Sequence, residues 1–436
     1  MNKSLTVNEA WKRLFVKYSI IDEINKNGYY EISANKIKDF KEPRLMAKFD
    51  SIESVPQVFK DNKINILPIK RGAYILGNFD LYKDFSGVRE QSKIKTVDKS
   101  LVERFETINI KNISSESTSI NVVLLTNILD EFLEEEKSFV TFNGRMGSGQ
   151  FKFNINSLTS ELPIRDITVN NAQCEIDCGL ENKNSAVIIE AKNVWYPDFN
   201  IRQLYYPFRL WSNKINKPVR LVFIQYINEI FKLMEYKFED INNYSSIELV
   251  KERRYSLQDA TITKEDLWSV FKKSKGEITD EYCKDCVPFI QADNFERIIS
   301  LMEILSKGNL SRSEIANIME FEERQADYYF NAGRYLGLFG KLERYNRQIE
   351  IYLTDRGKEV MVLNYKARQL KLIELMLEHK IFYELFEQAF QSNKLPTLIE
   401  IQDKMIEYGV CTSESIVKRR SQSVLSWLSW IFNLIE

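Results

Sequence analysis

Apolar residues recur at helical spacing near the start of the chain, in "VNEAWKRLFVKYSIIDEI", and again from residue 120 in "INVVLLTNILDEFLEEE". The short apolar runs "INILPI" and "GAYILGNF" between them are typical of strands. The polar stretch "NISSESTS", residues 112–119, is typical of a linker or a helix N-cap region. The pattern therefore predicts an N-terminal α/β domain, residues 1–115, to which it assigns no role.

From residue 137 the pattern changes to strand-like alternation. "KSFVTFNGRMGSGQFKFNI" predicts two strands joined by a glycine-rich turn, and "CEIDCGLENKNSAVIIEAK" predicts two more joined by a polar turn. "DFNIRQLYYPFRLWSNKI" predicts a helix capped by Asp198, and "PVRLVFIQYI" predicts a buried strand. This order of elements predicts one compact mixed α/β unit, residues 116–265.

Beyond about residue 290 the chain reads as mainly helical. Residues 290–362 predict three helices followed by two short strands, which is the order of a winged helix. Residues 363–436 predict a second helical, winged-helix-like unit, whose last helix carries basic residues near its start. The predicted fold class is thus α+β and multidomain, with a central mixed α/β core and mainly helical C-terminal units.

The overall charge argues against a uniformly basic nucleic-acid binder, because the 436 residues carry a formal net charge of −1 and the pI is about 6.2. Charge is nevertheless distributed unevenly. Between Lys341 and Lys371, eight basic residues stand against four acidic ones, a local excess of +4. This region covers the predicted wing and the helix after it, so phosphate contacts are expected there.

The positions of the histidine and the cysteines limit the kinds of catalytic and metal site that the chain can contain. The single histidine, His379, lies in a helical pattern, where a surface or core role is expected, so histidine-centred hydrolase chemistry is nearly excluded. Five cysteines in a large chain that begins with a charged, amphipathic stretch predict reduced thiols rather than a disulfide framework. Cys283 and Cys286 form one CxxC, but a second ligand pair that a structural zinc site would need is not nearby.

The stretch 174–192 carries the candidate chemistry. Side chains alternate across a strand, so Glu175 and Asp177 share one face, while Glu190 and Lys192 share a face on the next strand. If the two strands pair through the turn, the four polar side chains converge at one sheet edge. Two carboxylates there suit Mg²⁺, which binds through one or two carboxylates, waters and substrate phosphates. A lysine beside them can orient or help deprotonate water and offset charge on the phosphate.

These residues resemble the PD-(D/E)XK nuclease superfamily, in particular bacterial type II restriction endonucleases. Asp177 and the "EAK" of Glu190 to Lys192 match the signature of an acid, a variable gap and acid-X-Lys on the next strand. Many members place glutamine or another polar residue on the following helix, which implies a catalytic role for Gln203. Ile176 stands where the signature has proline, and Glu175 becomes an alternative metal ligand. The resemblance covers about residues 119–230 and implies Asp177, Glu190 and Glu175 as ligands of Mg²⁺.

Plainer interpretations stand beside these. Acid-X-Lys on a strand is commonly a solvated face with a weak ion pair, although the run "SAVII" before Glu190 is too apolar for a solvated edge. "NGRMGSGQ" is equally consistent with an ordinary hairpin or with a loop that brings Arg145 to the DNA backbone. "QLYYP" is equally consistent with core aromatics and a helix kinked by Pro207.

Two helices are the candidates for reading bases in the major groove. They are the helix across "RQADYYFNAGRYLGL" and the last helix, which contains "VKRRSQS", and both carry polar residues that could contact DNA. The alternative is that these residues merely form solvated faces of helical bundles. The candidate DNA-binding residues are Arg145, Arg324, Gln325, Asp327, Asn331, Lys418, Arg419, Arg420 and Gln422.

The expected function is a sequence-specific, Mg²⁺-dependent double-stranded DNA endonuclease of a restriction-modification system. The resemblance implies a cognate DNA methyltransferase encoded nearby and leaves a homodimer on DNA open. Separate recognition and cleavage regions would suit cleavage at a distance, as type IIS enzymes do. No apolar run approaches the ~18 residues of a membrane span, so a cytoplasmic location without membrane contact is expected. The rivals are a repair or mobile-element nuclease with the same core and a winged-helix regulator with an inactive nuclease domain.

Overall fold

The computed structural model describes residues 5–85, 93–110, 113–321, 323–343 and 349–435. Within these residues the chain forms two compact units. Of the described residues, the first unit contains 5–85, 99–110, 113–226 and 231–253, and the second contains 93–98, 227–230, 254–321, 323–343 and 349–435. The predicted N-terminal domain therefore shares one compact unit with most of the predicted central core.

The N-terminal part of the first unit packs helices against a three-stranded antiparallel sheet of order β1-β3-β2. A capping box at Thr6 starts the first helix, and Trp11 and Phe59 meet edge to face in the core beneath it. The elements are α1 (Val7–Lys17), α2 (Ile20–Asn27), β1 (Tyr29–Ser33), α3 (Ala34–Lys38), α4 (Pro43–Met46), α5 (Gln57–Asp61), β2 (Asn65–Lys70) and β3 (Ala73–Gly77).

The chain then runs through β4 (Tyr82–Asp84), β5 (Ile94–Thr96), α6 (Glu116–Leu125), α7 (Ile128–Leu133), β6 (Phe139–Gly147), β7 (Gln150–Ile155), β8 (Ile164–Asn170), β9 (Gln173–Glu181), β10 (Ala186–Lys192), β11 (Asp198–Asn200), α8 (Arg202–Ser212), β12 (Val219–Ile227), β13 (Ile230–Phe238) and β14 (Ile247–Ser256). The central sheet of the first unit has the order β14-β13-β12-β10-β9-β6. Strands β9 and β10 are antiparallel, as predicted, and β10 runs parallel to β12 through the crossover helix α8. The mixed α+β class is thereby confirmed.

The burial patterns of β9 and β10 determine which side chains of residues 174–192 face the core. Cys174, Ile176 and Cys178 are buried, while Glu175 is exposed on the opposite face. Every residue from Ala186 to Ala191 is buried, as expected of a strand covered on both faces. Helix α8 packs over this sheet and contributes Leu204, Tyr205 and Tyr206 to the same hydrophobic core.

Two local predictions were wrong. Strands β6 and β7 exist, but they do not form a hairpin with each other: β6 pairs with β9, and β7 pairs with β8. The left-handed Gly149, φ 74°, lets the chain turn between them into a different sheet. Asp198 does not cap α8, because it lies in β11 and accepts a hydrogen bond from the Ile52 amide at 2.8 Å; Asn200 accepts the Arg202 amide at 3.1 Å instead.

The second unit is mainly helical. Its β5 pairs in parallel with Arg254–Ser256, the last residues of β14. A three-stranded antiparallel sheet of order β15-β17-β16 lies among its first helices. The elements are α9 (Lys264–Lys273), α10 (Phe295–Leu305), β15 (Leu310–Ser311), α11 (Arg312–Ile318), α12 (Glu323–Tyr335), β16 (Phe339–Glu343), β17 (Ile349–Leu353), α13 (Asp355–Met361), α14 (Tyr365–Leu377), α15 (Lys380–Ser392), α16 (Leu398–Glu407) and α17 (Glu414–Asn433).

The predicted helix-rich region 363–436 forms the four helices α14 to α17. From residue 355 to residue 435 the described chain contains no strand element, so the wing expected within residues 363–436 is missing. The apolar positions of "LIEIQDKMIEYGV" and "VLSWLSWIF" recur at helical spacing, and their burial in α16 and α17 leaves no strand-like alternation for a hairpin.

The expectation of reduced thiols was wrong for one pair, because Cys283 and Cys286 form a disulfide. The other three cysteines are free, with Cys174 and Cys178 buried in the sheet. His379 is a core histidine: its Nδ1 lies 2.8 Å from Asp280 Oδ1, and its ring stacks on Tyr335. Across the described residues, no helix is both long and apolar enough to cross a membrane.

Candidate active site

The structure brings Asp177, Glu190, Lys192 and Gln203 together at one end of strands β9 and β10. Asp177 Oδ2 accepts a hydrogen bond from the Ala191 amide at 3.0 Å, which fixes this carboxylate beside Glu190 and Lys192. Gln203, in the first turn of α8, donates from Nε2 to Glu190 Oε1. The convergence expected from the alternation of side chains is therefore observed for Asp177, Glu190 and Lys192, whereas Glu175 pairs with Arg145. Gln203, expected from the resemblance, joins the group from α8.

Glu190 lies at the centre of the group and is only 6% exposed. Its Oε1 also accepts a hydrogen bond from Lys192 Nζ at 2.9 Å. Burial raises the pKa of Glu190 to about 8, against the opposing effect of Lys192 and with a further increase from Asp177. A cation placed beside such a buried carboxyl stabilises its ionised form.

Lys192 is held in its charged form. Burial opposes that charge, but the carboxylates of Glu190, Asp50 and Glu116 outweigh it and keep the pKa of Lys192 above its ordinary value. The ammonium lies 3.7 Å from Glu116 Oε1 and 4.0 Å from Asp50 Oδ2. The lysine is thus a fixed cation surrounded by acids.

Asp50 and Glu116 are site residues that the sequence did not reveal. Asp50 follows α4 and is 8% exposed, and Asn200 donates its backbone amide to the Asp50 carbonyl at 2.9 Å. Glu116 opens α6, and burial raises its pKa, with Lys192 acting in the opposite direction. An acid in the first turn of a helix ordinarily reads as a partner of the helix dipole. Asp50 has no local signal at all.

A cleft of about 670 Å³ opens over these residues. Its floor carries Asp50, Glu116, Asp177, Glu190 and Lys192. Arg145 and Glu175 line it further out and form an exposed ion pair at 3.1 Å across β6 and β9. Arg145 therefore lies on a strand rather than in a loop, and Glu175 faces Arg145 rather than the lysine.

The donor set fits Mg²⁺ of the kind that keeps several waters. Asp177 and Glu190 supply two carboxylates, and this ion commonly binds through one or two of them together with substrate phosphates. Asp50 Oδ1 and Gln203 Oε1 are buried acceptors without a hydrogen-bond partner, so oxygen atoms in this group still lack a cation or donor. In the part of the chain that the structure describes, no cluster of three or more His, Cys, Asp or Glu side chains is arranged to hold a metal ion by itself.

The remaining candidate residues lie in the second unit, on two helices. Arg324, Gln325 and Asn331 belong to α12, with Arg324 exposed and the other two partly exposed. Asp327 on the same helix is an ion-pair partner of Arg312 Nε at 2.8 Å, so its carboxylate is already engaged within the unit. Arg344 and Arg347, two of the basic residues counted for the wing, lie outside the described residues.

The second group belongs to the first turns of α17. Lys418, Arg419 and Gln422 are exposed, and Arg420 is partly buried with Nη1 3.9 Å from Cys411 Sγ. Arg419 Nη2 lies 3.3 Å from Gln291 Oε1. Three of the four side chains are therefore available at the surface of the second unit, whereas Arg420 is partly used to hold the turn before the helix.

Three family models match successive parts of the chain. Residues 8–76 match a domain of unknown function (DUF6996), residues 77–256 match another (DUF6997), and residues 297–436 match a third (DUF7226). No curated protein and no solved structure matches the chain. The boundary at residue 76 falls near the end of β3, and the 77–256 match spans the strands and helix that carry Asp177, Glu190, Lys192 and Gln203.

Proposed function

We propose that this protein is a Mg²⁺-dependent endonuclease that hydrolyses phosphodiester bonds in double-stranded DNA. The single observation that carries the proposal is the hydrogen-bonded group of Asp177, Glu190, Lys192 and Gln203 at the floor of a cleft. Its order along β9, β10 and α8 follows the resemblance to PD-(D/E)XK nucleases. Metal-assisted hydrolysis at a cleft floor accounts for why acids and a lysine are buried together.

Each residue has a role in that reaction. Asp177 and Glu190 would hold Mg²⁺, which when bound polarises a phosphate oxygen and lowers the pKa of a bound water. We assign Lys192 to orienting the attacking water and offsetting phosphate charge, because its ammonium lies 2.9 Å from Glu190 Oε1 at the floor of the cleft. Gln203 positions Glu190 through its amide. Water attacks phosphorus, forms a new P–O bond and releases a proton to solvent, while the P–O bond to one backbone oxygen breaks and that oxygen takes up a proton from solvent.

Sequence-specific recognition is assigned to the second unit. Its elements α10, β15, α11, α12, β16 and β17 occur in the order expected of a winged helix. In a winged helix of that order, α12 would be the helix that reads the major groove. Arg324, Gln325 and Asn331 would then reach base edges, while Lys418 and Arg419 on α17 would contact phosphate or bases. A restriction-modification system, with a cognate DNA methyltransferase encoded nearby and the endonuclease binding as a monomer or homodimer, is the proposed setting.

The test is direct. Purified protein is incubated with unmethylated phage DNA in the presence of Mg²⁺, and the products are separated by electrophoresis. Discrete fragments that disappear when EDTA replaces Mg²⁺ support a site-specific endonuclease. Discrete sites would also separate a restriction enzyme from a repair or mobile-element nuclease acting on DNA ends or structures. Binding to DNA with no cleavage under any divalent metal would favour the regulator instead.

A further inference from the structure

The cleft over the candidate active site has two walls from different parts of the first unit. One wall is made by residues of β9, β10 and α8, including Gln173, Arg202 and Gln203. The other is made by the N-terminal segment, through residues between 34 and 74. The N-terminal segment, to which the sequence assigned no role, therefore borders the space in which a substrate must lie.

That second wall is basic. Arg44, Lys48, Lys70 and Arg71 line the cleft there, whereas Glu42 is the acid on this wall apart from Asp50 at the floor. Lys48 pairs with Asp50 at 3.5 Å, and Lys70 pairs with Glu31 at 3.3 Å. Arg44 and Arg71 are exposed, and neither forms an ion pair with any residue that the structure describes. Two guanidinium groups beside the cleft are thus left for an external anion.

The wall is fixed to the catalytic elements before any ligand binds. Tyr206 of α8 donates its hydroxyl to the Pro68 carbonyl at 2.8 Å, beside the hairpin that carries Arg71. The tip of that hairpin is held by the Ala34 amide, which donates to the Gly72 carbonyl at 2.8 Å. Near Arg44 and Lys48, the Asn200 side chain donates to the Phe49 carbonyl at 3.1 Å. Such preorganisation lowers the cost of binding.

We infer that the N-terminal segment binds the sugar-phosphate backbone of DNA and that Arg44 and Arg71 are its phosphate ligands. This inference rests on the proposed function, because it places the scissile strand between the acidic floor and the basic wall. Arginine binds phosphate bidentately through its planar group of donors. Contacts of this kind hold the register of the duplex and carry no sequence information. The N-terminal segment therefore supplies affinity, and base recognition lies elsewhere.

The experiment compares the double variant Arg44→Ala/Arg71→Ala with a matched control, Lys12→Ala/Arg13→Ala. The control removes the same charge from the exposed side of α1, away from the cleft lining. Both variants substitute exposed residues, and thermal unfolding verifies that each stays folded. Binding to a fluorescent duplex is measured by anisotropy in EDTA over a series of salt concentrations, for a cleaved sequence and for a scrambled one.

The expected result is a loss of affinity on the order of tenfold or more for both duplexes. The slope of log affinity against log salt should become shallower by about 0.9 for each phosphate that the variant no longer neutralises. The control variant should retain wild-type affinity and slope. The inference would be overturned if Arg44→Ala/Arg71→Ala and the control had the same DNA affinity and the same salt slope while the wild type cleaves DNA. The proposed function would then still stand. If the wild type never cleaves DNA but its DNA binding depends on Arg44 and Arg71, phosphate binding by the basic wall is supported. The proposed nuclease function is then overturned.

Discussion

The backbone amide of Ala191 donates to Asp177 Oδ2 at 3.0 Å, and this bond ties the Asp177 carboxylate of β9 to the end of β10. Ala191 lies between Glu190 and Lys192, so one hydrogen bond sets the spacing of the three polar groups. Ile189 and Cys178 are the pair nearest the site, and Asp177 immediately precedes Cys178, so Asp177 lies beside the end of β10. Rigid strands, rather than a loop, therefore hold the carboxylates.

We expect the two acids of β9, Asp177 and Glu175, to differ in their effect on cleavage. Asp177→Asn should abolish Mg²⁺-dependent cleavage, because the amide oxygen can still accept from Ala191 while the negative charge is lost. Glu175→Gln should cost much less, since Glu175 is half exposed and pairs with Arg145. Single-turnover cleavage rates of the two variants provide the measurement. A larger loss for Glu175→Gln than for Asp177→Asn would show that Glu175 is the essential acid.

Asp50 should matter for catalysis although it is far from the motif in sequence. Its carboxylate lies 4.0 Å from Lys192 Nζ and carries a buried oxygen without a hydrogen-bond partner. We expect Asp50→Asn to lower the cleavage rate by on the order of tenfold or more and to shift the Mg²⁺ dependence, while DNA affinity in EDTA does not fall. Glu42→Gln, an exposed acid that lines the same cleft, is the matched control. Identical Mg²⁺ titrations for the two variants would remove Asp50 from the site.

Recognition should depend on exposed residues of α12 and α17. Arg324→Ala and Lys418→Ala should each weaken DNA binding, whereas substitution of Lys394, which is exposed two residues after the end of α15, by alanine should not. Removal of a side chain that binds phosphate weakens binding to every duplex alike. Removal of one that reads a base relaxes discrimination at one base pair by about 1–3 kcal/mol. Competition between specific and scrambled duplexes measures this difference. Full discrimination and full affinity in both variants would move recognition out of these helices.

The second unit contains a carboxyl that should make its stability depend on pH. Burial raises the pKa of Glu303 to about 7 from an ordinary value of 4.5, and its Oε1 accepts the Asn228 amide at 2.9 Å. The folded state therefore holds this proton more tightly than the unfolded state. The stabilisation that Glu303 contributes is complete below about pH 4.5 and is lost as the pH rises through about 7.

Glu303→Gln should remove that pH dependence, because glutamine can accept the same hydrogen bond and stays neutral. Relative to the wild type, the variant should gain stability between pH 5 and pH 8 by about 3 kcal/mol at most. Urea unfolding at the two pH values measures the change. A constant difference between variant and wild type at both values would mean that Glu303 ionises normally in the folded protein.

The parts of the site that follow from the sequence are local. Asp177, Glu190, Lys192 and Gln203 lie within 27 consecutive residues, 177–203. Strand alternation with one turn is enough to bring the first three together, and the resemblance pointed to Gln203 on the following helix. Asp50 and Glu116 reach the same lysine only through tertiary packing. No periodicity within either segment specifies that contact, so a single sequence could not reveal it.

The errors in the predicted fold also come from contacts between residues that are distant in sequence. The strands β6 and β7 were recognised from alternation, but which strand pairs with which depends on long-range sheet assembly. Asp198 has the residue type of a helix cap, and its competing partner, the Ile52 amide, is remote in sequence. The helices of residues 365–433 follow from their apolar spacing. The absence of a wing there could not be predicted, because short apolar runs are ambiguous between helix and strand.

The most direct test of the central claim is Mg²⁺-dependent DNA cleavage by Lys192→Ala beside Glu190→Ala and a matched control. Lys183→Ala removes an exposed lysine from the turn between β9 and β10 and leaves the site intact. We expect Lys183→Ala to cleave like the wild type. Lys192→Ala and Glu190→Ala should lose cleavage by a hundredfold or more, as is typical when a group that stabilises the transition state is removed (~10²–10³ in rate). Both inactive variants should still bind the duplex in EDTA. Cleavage by Lys192→Ala or Glu190→Ala at the rate of Lys183→Ala would contradict the account.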